Sequence, residues 1–233
     1  MIRAVIFDRA GTLVRERPGE EVLREILHPM GYERPPEAYK KAETASRRWW
    51  REKYQGLPRG HRWSREVRRD CLQAALEVLA LPGDQEELLA RLDEQWDALR
   101  VHGLYGGVLP CLGALAASRI PMGVLAQTLR SSLEVRAELE RLGVGRYFGA
   151  ILSVEDTEWD KPDPKLFRAV ADRLERPVSE VLFVGDDLAK DIVGARSAGM
   201  FAVLVDRHGA TTAAGLASVT TLAQIPGLLN TLG

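Results

Sequence analysis

Ile2-Arg3-Ala4-Val5-Ile6-Phe7-Asp8-Arg9-Ala10-Gly11-Thr12 is the stretch on which the fold turns. Its apolar run, residues 2–7, ends in a carboxylate and is then broken by Gly11 and Thr12. This predicts a buried strand that carries Asp8 at its C-terminal tip. Working outward, helix and strand alternate through the second half of the chain. A helix near 110–118 leads to a strand at 120–126, and a helix at 130–142 to a strand at 149–153. A helix at 163–174 leads to a strand at 181–185, and a helix at 188–198 to a strand at 201–205. Apolar strands alternating with helices form a parallel sheet with helices on both faces. The expected core is an α/β, Rossmann-like parallel sheet.

Residues 18–100 follow a different pattern. Leu, Ile, Ala and aromatic residues recur at spacings of three and four among Arg and Glu, with breaks at 31–36, 56–60 and 81–84. This periodicity predicts roughly four helices. Residues 103–110 read as a linker. The expected division is a discontinuous core, 1–15 and 106–233, with an α-helical cap inserted at 16–105.

Composition narrows the function. The chain has 233 residues, is 45% hydrophobic and carries a formal net charge of −1, which excludes intrinsic disorder. Near-neutrality argues against a dedicated nucleic-acid binder. No apolar run reaches the ~18 residues of a membrane helix, and the N-terminal run lacks the pattern of a signal peptide. Cys71 and Cys111 make neither a disulfide framework nor a zinc site and read as small apolar fillers. The expectation is a cytoplasmic protein, monomer or homodimer, with no membrane or nucleic-acid partner.

Open parallel sheets bind ligands beyond the carboxyl ends of their strands. Those ends carry Asp8, residues 126–128, Lys161 in Asp160-Lys161-Pro162-Asp163-Pro164, and Asp186, Asp187 and Asp191 in Gly185-Asp186-Asp187-Leu188-Ala189-Lys190-Asp191. Carboxylates gathered at one edge repel unless something positive joins them. A hard cation such as Mg²⁺ takes oxygen ligands and accepts substrate phosphate oxygens as well. Aspartate in such a site is a competent nucleophile toward phosphorus. The bland alternative for Asp187 and Asp191 is helix capping and first-turn charge.

These motifs, in this order, resemble the haloacid dehalogenase (HAD) superfamily over essentially the whole chain: Asp8-Arg9-Ala10-Gly11-Thr12, Lys161-Pro162-Asp163-Pro164, the Gly185–Asp191 segment, and residues 194–200 after it. The resemblance implies a hydrolase with Asp8 as nucleophile. It implies Mg²⁺ held by Asp8, the Ala10 backbone carbonyl and Asp186, with Asp187 or Asp191 nearby. It also implies that Lys161 holds the nucleophile and the transferring group, that the substrate is a small phosphorylated metabolite, and that the cap closes over it.

Two positions depart from the phosphatase pattern. Ala10 stands where those enzymes place a second Asp, the proton donor to the leaving oxygen. Ala126 ends its strand where a Ser or Thr belongs, unless Gln127 or Thr128 supplies the missing hydrogen bond to phosphate. The departures keep alternatives open: a non-catalytic metal- or anion-binding relative, or C–P or C–halogen hydrolysis. Ala10 resembles the phosphonatase branch, whose cap lysine forms a Schiff base, and Lys40, Lys41 and Lys53 are the lysines available for that role. Residues 44–70 hold nine Lys or Arg against three acids, with Trp49, Trp50 and Trp63. That stretch reads as an anion-attracting face, as a platform for single-stranded nucleic acid, or as an Arg-rich helical surface with its tryptophans buried.

Overall fold

The computed structural model describes residues 1–54, 65–209 and 216–232. The expected break at 56–60, His61 and Trp63 lie outside the described residues. The chain divides into two compact units, Met1–Arg15 with Gly103–Gly233, and Glu16–His102.

The first unit is built on a six-stranded parallel sheet. Its strands are β1 (Ala4–Asp8), β4 (Met122–Ala126), β5 (Phe148–Ser153), β6 (Val181–Gly185), β7 (Phe201–Val205) and β8 (Ser218–Val219). They lie in the order β5-β4-β1-β6-β7-β8. Strand β1 is central. Phe7 lies opposite Val124 on one side and Val184 on the other, and Asp8 lies beside Leu125. Asp8 is thereby fixed at the middle of the carboxyl edge.

Every residue of β1, β4 and β6 is buried. Successive side chains of a strand point to opposite faces, so both faces are covered. Ala4 and Ile6 of β1 pack with Leu166, Phe167 and Val170 of helix α7 (Pro164–Arg173) and with Ala195 and Ala198 of helix α8 (Val193–Ala198). Val5 and Phe7, on the other face, are equally inaccessible. Two more helices lie between strands in sequence, α5 (Val108–Ala117) and α6 (Ser132–Arg141), and α9 (Ile225–Leu232) follows β8.

The second unit is helical: α1 (Gly19–Leu27), α2 (Pro36–Tyr54), α3 (Arg65–Leu79) and α4 (Gln85–Arg100). Its core takes one stripe from each, with Leu23 and Leu27, Tyr39 and Ala42, Leu72 and Leu76, and Leu88 and Leu92. The break at 81–84 ends in an N-cap: the Asp84 carboxylate accepts the backbone N–H groups of Glu86 and Glu87. Among the described residues, several arginines of the basic stretch meet acids. Arg68 bridges Asp93 and Asp97 at 2.7 and 2.6 Å, Arg69 meets Glu86 at 2.9 Å and Arg47 meets Glu43 at 2.5 Å. Trp49 and Trp50 are half-buried, and the Lys53 ammonium lies over the Trp49 ring. Lys40, Lys41 and Lys53 are exposed on α2.

The linker expected at 103–110 is ordered differently. Residues Val101–Leu104 form strand β3, which joins β2 (Val14–Glu16) in a two-stranded ribbon, and α5 begins already at Val108. Pro110 falls in the first turn of α5, where its missing N–H has no intrahelical partner to lose. The glycines that obscured the ribbon, Gly103 and Gly107, have φ of 144° and 87°.

Helices α7 and α8 approach closely at Gly194. A Cβ there would stand 2.4 Å from the Phe167 ring and 3.0 Å from the Pro162 Cα. At Gly113 in α5 a Cβ would meet nothing within 4 Å. Gly194→Ala is therefore expected to lower stability by about 1–3 kcal/mol, and Gly113→Ala to raise it by up to about 1 kcal/mol. Urea unfolding of both variants checks this; a Gly194→Ala protein as stable as the parent would contradict the packing described.

Candidate active site

Four segments deliver side chains to one point at the carboxyl edge of the sheet. Asp8 arrives on β1. Lys161 arrives just ahead of α7, where Asp163 caps the helix by accepting the Lys165 N–H at 2.9 Å and Pro164 takes the first helical position. Asp186 follows β6 directly. Asp191 is carried by a single π turn, Leu188–Ile192, the kind of irregularity that re-aims a side chain at functional sites.

Lys161 lies at the centre. Its Nζ donates to Asp8 Oδ1 at 2.5 Å and to Asp191 Oδ1 at 2.8 Å, and it stands 5.2 Å from the centre of the Phe183 ring. All three charged groups are buried. Burial alone would push the Lys161 ammonium down, but the Asp191 and Asp8 carboxylates outweigh it and hold the pKa above the ordinary lysine value. Burial pushes the Asp8 carboxyl up to about 7; Lys161 opposes the rise, while Asp191 and Asp186 add to it. The Asp186 carboxyl, at the open side of the group, is also raised, by partial burial and by Asp191.

Around this centre the remaining contacts fix orientation. The Thr12 hydroxyl donates to Asp186 Oδ1 at 3.3 Å. The Asp187 backbone N–H donates to Asp191 Oδ2 at 3.0 Å. Gly11 has φ of 85°, and a Cβ on it would lie 2.2 Å from Asp186 Oδ2. Any side chain at position 11 meets both the left-handed backbone and the carboxylate.

Asp8, Asp186 and Asp191 each offer an oxygen, and these oxygens lie within 4.8 Å of one another. Asp8 Oδ2 is buried and makes no hydrogen bond among the described residues. Three carboxylates face one ammonium, so the group is short of positive charge. An all-oxygen donor set with an unsatisfied buried oxygen fits a hard divalent cation such as Mg²⁺.

The other expected residues are placed as follows. The Asp187 carboxylate caps the π turn, with Oδ1 accepting the Ala189 and Lys190 N–H groups at 2.9 Å each, so it is engaged with its own backbone. Ala10 lies in the turn after β1 and bridges to Val14. Gln127 and Thr128 follow β4, whose last residue, Ala126, is fully buried. Thr128 Oγ1 accepts the Arg130 N–H at 3.4 Å, and Gln127 Oε1 is buried with no hydrogen bond among the described residues.

One buried ion-pair group was absent from the sequence reading. Arg9 turns away from Asp8 and makes a two-pronged pair with Glu138 of α6, at 2.8 and 2.9 Å. Arg130 pairs with the same carboxylate and donates to the Glu134 carbonyl at 3.1 Å. Glu138 thus ties the turn after β1 to the loop after β4. The available signal was an arginine one residue from a strand-tip aspartate, where alternation sends it to the opposite face.

Comparison with known proteins places this geometry. The family model for haloacid dehalogenase-like hydrolases matches residues 2–199. The chain is 30% identical over 211 residues to a ribulose-1,5-bisphosphate 5-phosphatase of Halopiger xanaduensis, covering 88% of this chain and 85% of that protein. It is 30% identical over 207 residues to a phosphoglycolate phosphatase of Salmonella choleraesuis, covering 85% of this chain and 79% of that protein. Among solved structures, a 2-haloacid dehalogenase of Pseudomonas syringae pv. Tomato superposes over the full length of both chains with a TM-score of 0.69 and 29% identity. With its parallel sheet, its strand-tip acids and these relatives, the chain belongs to the haloacid dehalogenase-like hydrolases.

Proposed function

We propose that the protein is a Mg²⁺-dependent phosphatase acting on a small phosphorylated metabolite through Asp8. The observation that carries this reading is the division of labour at Asp8: Oδ1 is held by Lys161, while Oδ2 is buried and makes no hydrogen bond among the described residues. Phosphatase-named relatives support the substrate class. Asp8, Asp186 and the Ala10 carbonyl would hold the ion, with Asp191 beside it and Asp187 supporting the turn. Bound there, Mg²⁺ would neutralise charge developing on the transferring group.

The chain's own residues do the rest. An Asp8 oxygen attacks phosphorus, the P–O bond to the leaving group breaks, and the departing oxygen takes its proton from water because Ala10 has none to give. Water then cleaves the aspartyl-phosphate, returning the Asp8 carboxylate and releasing inorganic phosphate. Lys161 fixes Asp8 and offers positive charge to the phosphoryl oxygens. The NH₂ of the Gln127 amide and the hydroxyl of Thr128 are the groups that would supply the donors Ala126 lacks.

A second reading is favoured by one fact. Ala10 is no handicap when the leaving group departs as a stable anion, and a 2-haloacid dehalogenase is 29% identical over the whole chain. In that reaction an Asp8 oxygen attacks carbon, halide leaves with the bonding pair, and water hydrolyses the resulting ester.

A panel of phosphate esters and 2-haloacids separates the two. Phosphate release that requires Mg²⁺, stops with EDTA and is abolished in Asp8→Asn supports the phosphatase. Halide release lost in Asp8→Asn and indifferent to EDTA supports the second reading. Neither activity in the parent protein would sink both.

The missing proton donor gives a further expectation. Ala10→Asp should raise turnover of an alkyl phosphate by about 10²–10⁴-fold. Release of p-nitrophenolate, a leaving group that needs no proton, should change far less in its first, phenol-releasing step. Equal gains in that step for both substrates would show that the proton donor is not what the site lacks.

A further inference from the structure

We propose that Arg207, just beyond β7, is a positioning residue that fixes the backbone of the turn after β1 and, through Thr12, the carboxylate of Asp186. Its activity readout rests on the phosphatase reading; its structural readouts do not.

The carbonyls of the turn after β1 divide between backbone and side-chain donors. The Arg9 carbonyl accepts from Leu13 and Val14, the Val14 carbonyl from Gly11, and the Leu13 carbonyl from Tyr105. The carbonyls of Gly11 and Thr12 are met instead by one side chain. Arg207 Nη1 donates to the Gly11 carbonyl, and Nη2 donates to the Thr12 carbonyl at 2.8 Å. A planar guanidinium is suited to this, because its two outer nitrogens span neighbouring acceptors in one plane.

The guanidinium is itself held. Its carbon lies 3.6 Å from the centre of the Tyr105 ring, a stacked cation–π contact. Tyr105 is anchored in turn by its N–H to Leu13. From behind, the Asp206 N–H donates to the Val219 carbonyl at 2.8 Å, tying the segment that bears Arg207 to β8. Its charge also lies within the field of Asp186 and Asp8.

The consequence for the site follows residue by residue. Thr12, whose carbonyl Arg207 binds, donates its hydroxyl to Asp186. Gly11, whose carbonyl Arg207 also binds, passes so close to Asp186 that no Cβ fits between them. Ala10, next in the chain, carries the carbonyl assigned to the metal. One guanidinium therefore sets the spacing between the turn and Asp186. Lysine cannot replace it, since a single ammonium on a flexible stem neither spans both carbonyls in one plane nor stacks on the ring.

The test uses Arg207→Met, Arg207→Lys and the conservative Tyr105→Phe. Mg²⁺ affinity is measured by calorimetry without substrate, and amide hydrogen exchange is measured at Gly11, Leu13 and Val14, with Val124 in the sheet as a reference. Arg207→Met is expected to weaken Mg²⁺ binding by about 10–100-fold and to speed exchange at the three turn amides while Val124 stays protected. Arg207→Lys should recover little of either, and Tyr105→Phe, which keeps the ring, should retain both. The kcat for phosphate release should fall in Arg207→Met more than KM rises. Parental exchange at the turn amides in Arg207→Met, even with a lower melting temperature, would overturn the proposal. If the parent protein binds no Mg²⁺, the metal reading fails, and turn exchange still decides the role of Arg207.

Discussion

The contact on which this site depends is a buried ammonium shared by two buried carboxylates. Lys161 meets Asp8 at 2.5 Å and Asp191 at 2.8 Å, and all three side chains are buried. Removing one member of such a group leaves an uncompensated charge in low dielectric, a loss of about 3–5 kcal/mol. Native proteins keep such arrangements where the charges have work to do. Two carboxylates already outnumber the one ammonium, and the third, Asp186, deepens the deficit of positive charge that a divalent cation would make good.

The surrounding fold exists largely to hold these charges together. The parallel sheet puts Asp8 and Asp186 on adjacent strand tips, since β1 and β6 are direct neighbours. The Pro-Asp-Pro cap starts α7 immediately after Lys161, so the lysine stem is fixed where the helix begins. The π turn brings Asp191 inward, and its Oδ2 is occupied by the Asp187 N–H, which leaves Oδ1 to the lysine. On the opposite face, Glu138 gathers Arg9 and Arg130, so the turn after β1 is gripped from a second direction.

Much of this was legible in the sequence, and for identifiable reasons. The strands of the core are short apolar runs with acids at their ends, and burial on both faces removes any polar alternation that could mislead. The four helices at 18–100 showed because their apolar residues repeat at helical spacing. What stayed hidden depends on partners far along the chain. The β2–β3 ribbon joins residues 14–16 to 101–104, and neither piece is long enough to carry a period. Strand β8 has two residues. Arg9–Glu138 and Arg207–Thr12 span 129 and 195 positions, and no local pattern announces them. Asp187 was read both as a metal ligand and as a cap; the π turn shows its Oδ1 on the Ala189 and Lys190 N–H groups, a contact that depends on local backbone geometry no sequence pattern displays.

Trapping the covalent intermediate tests the central claim most directly. The protein is mixed with Mg²⁺ and an activated phosphate ester, quenched in acid, reduced with borohydride and digested for mass spectrometry. Reduction of an aspartyl-phosphate yields homoserine, and the account predicts it at position 8 and at no other acid. Phosphate release with an unreduced Asp8, or with homoserine at Asp186 or Asp191 instead, would contradict it.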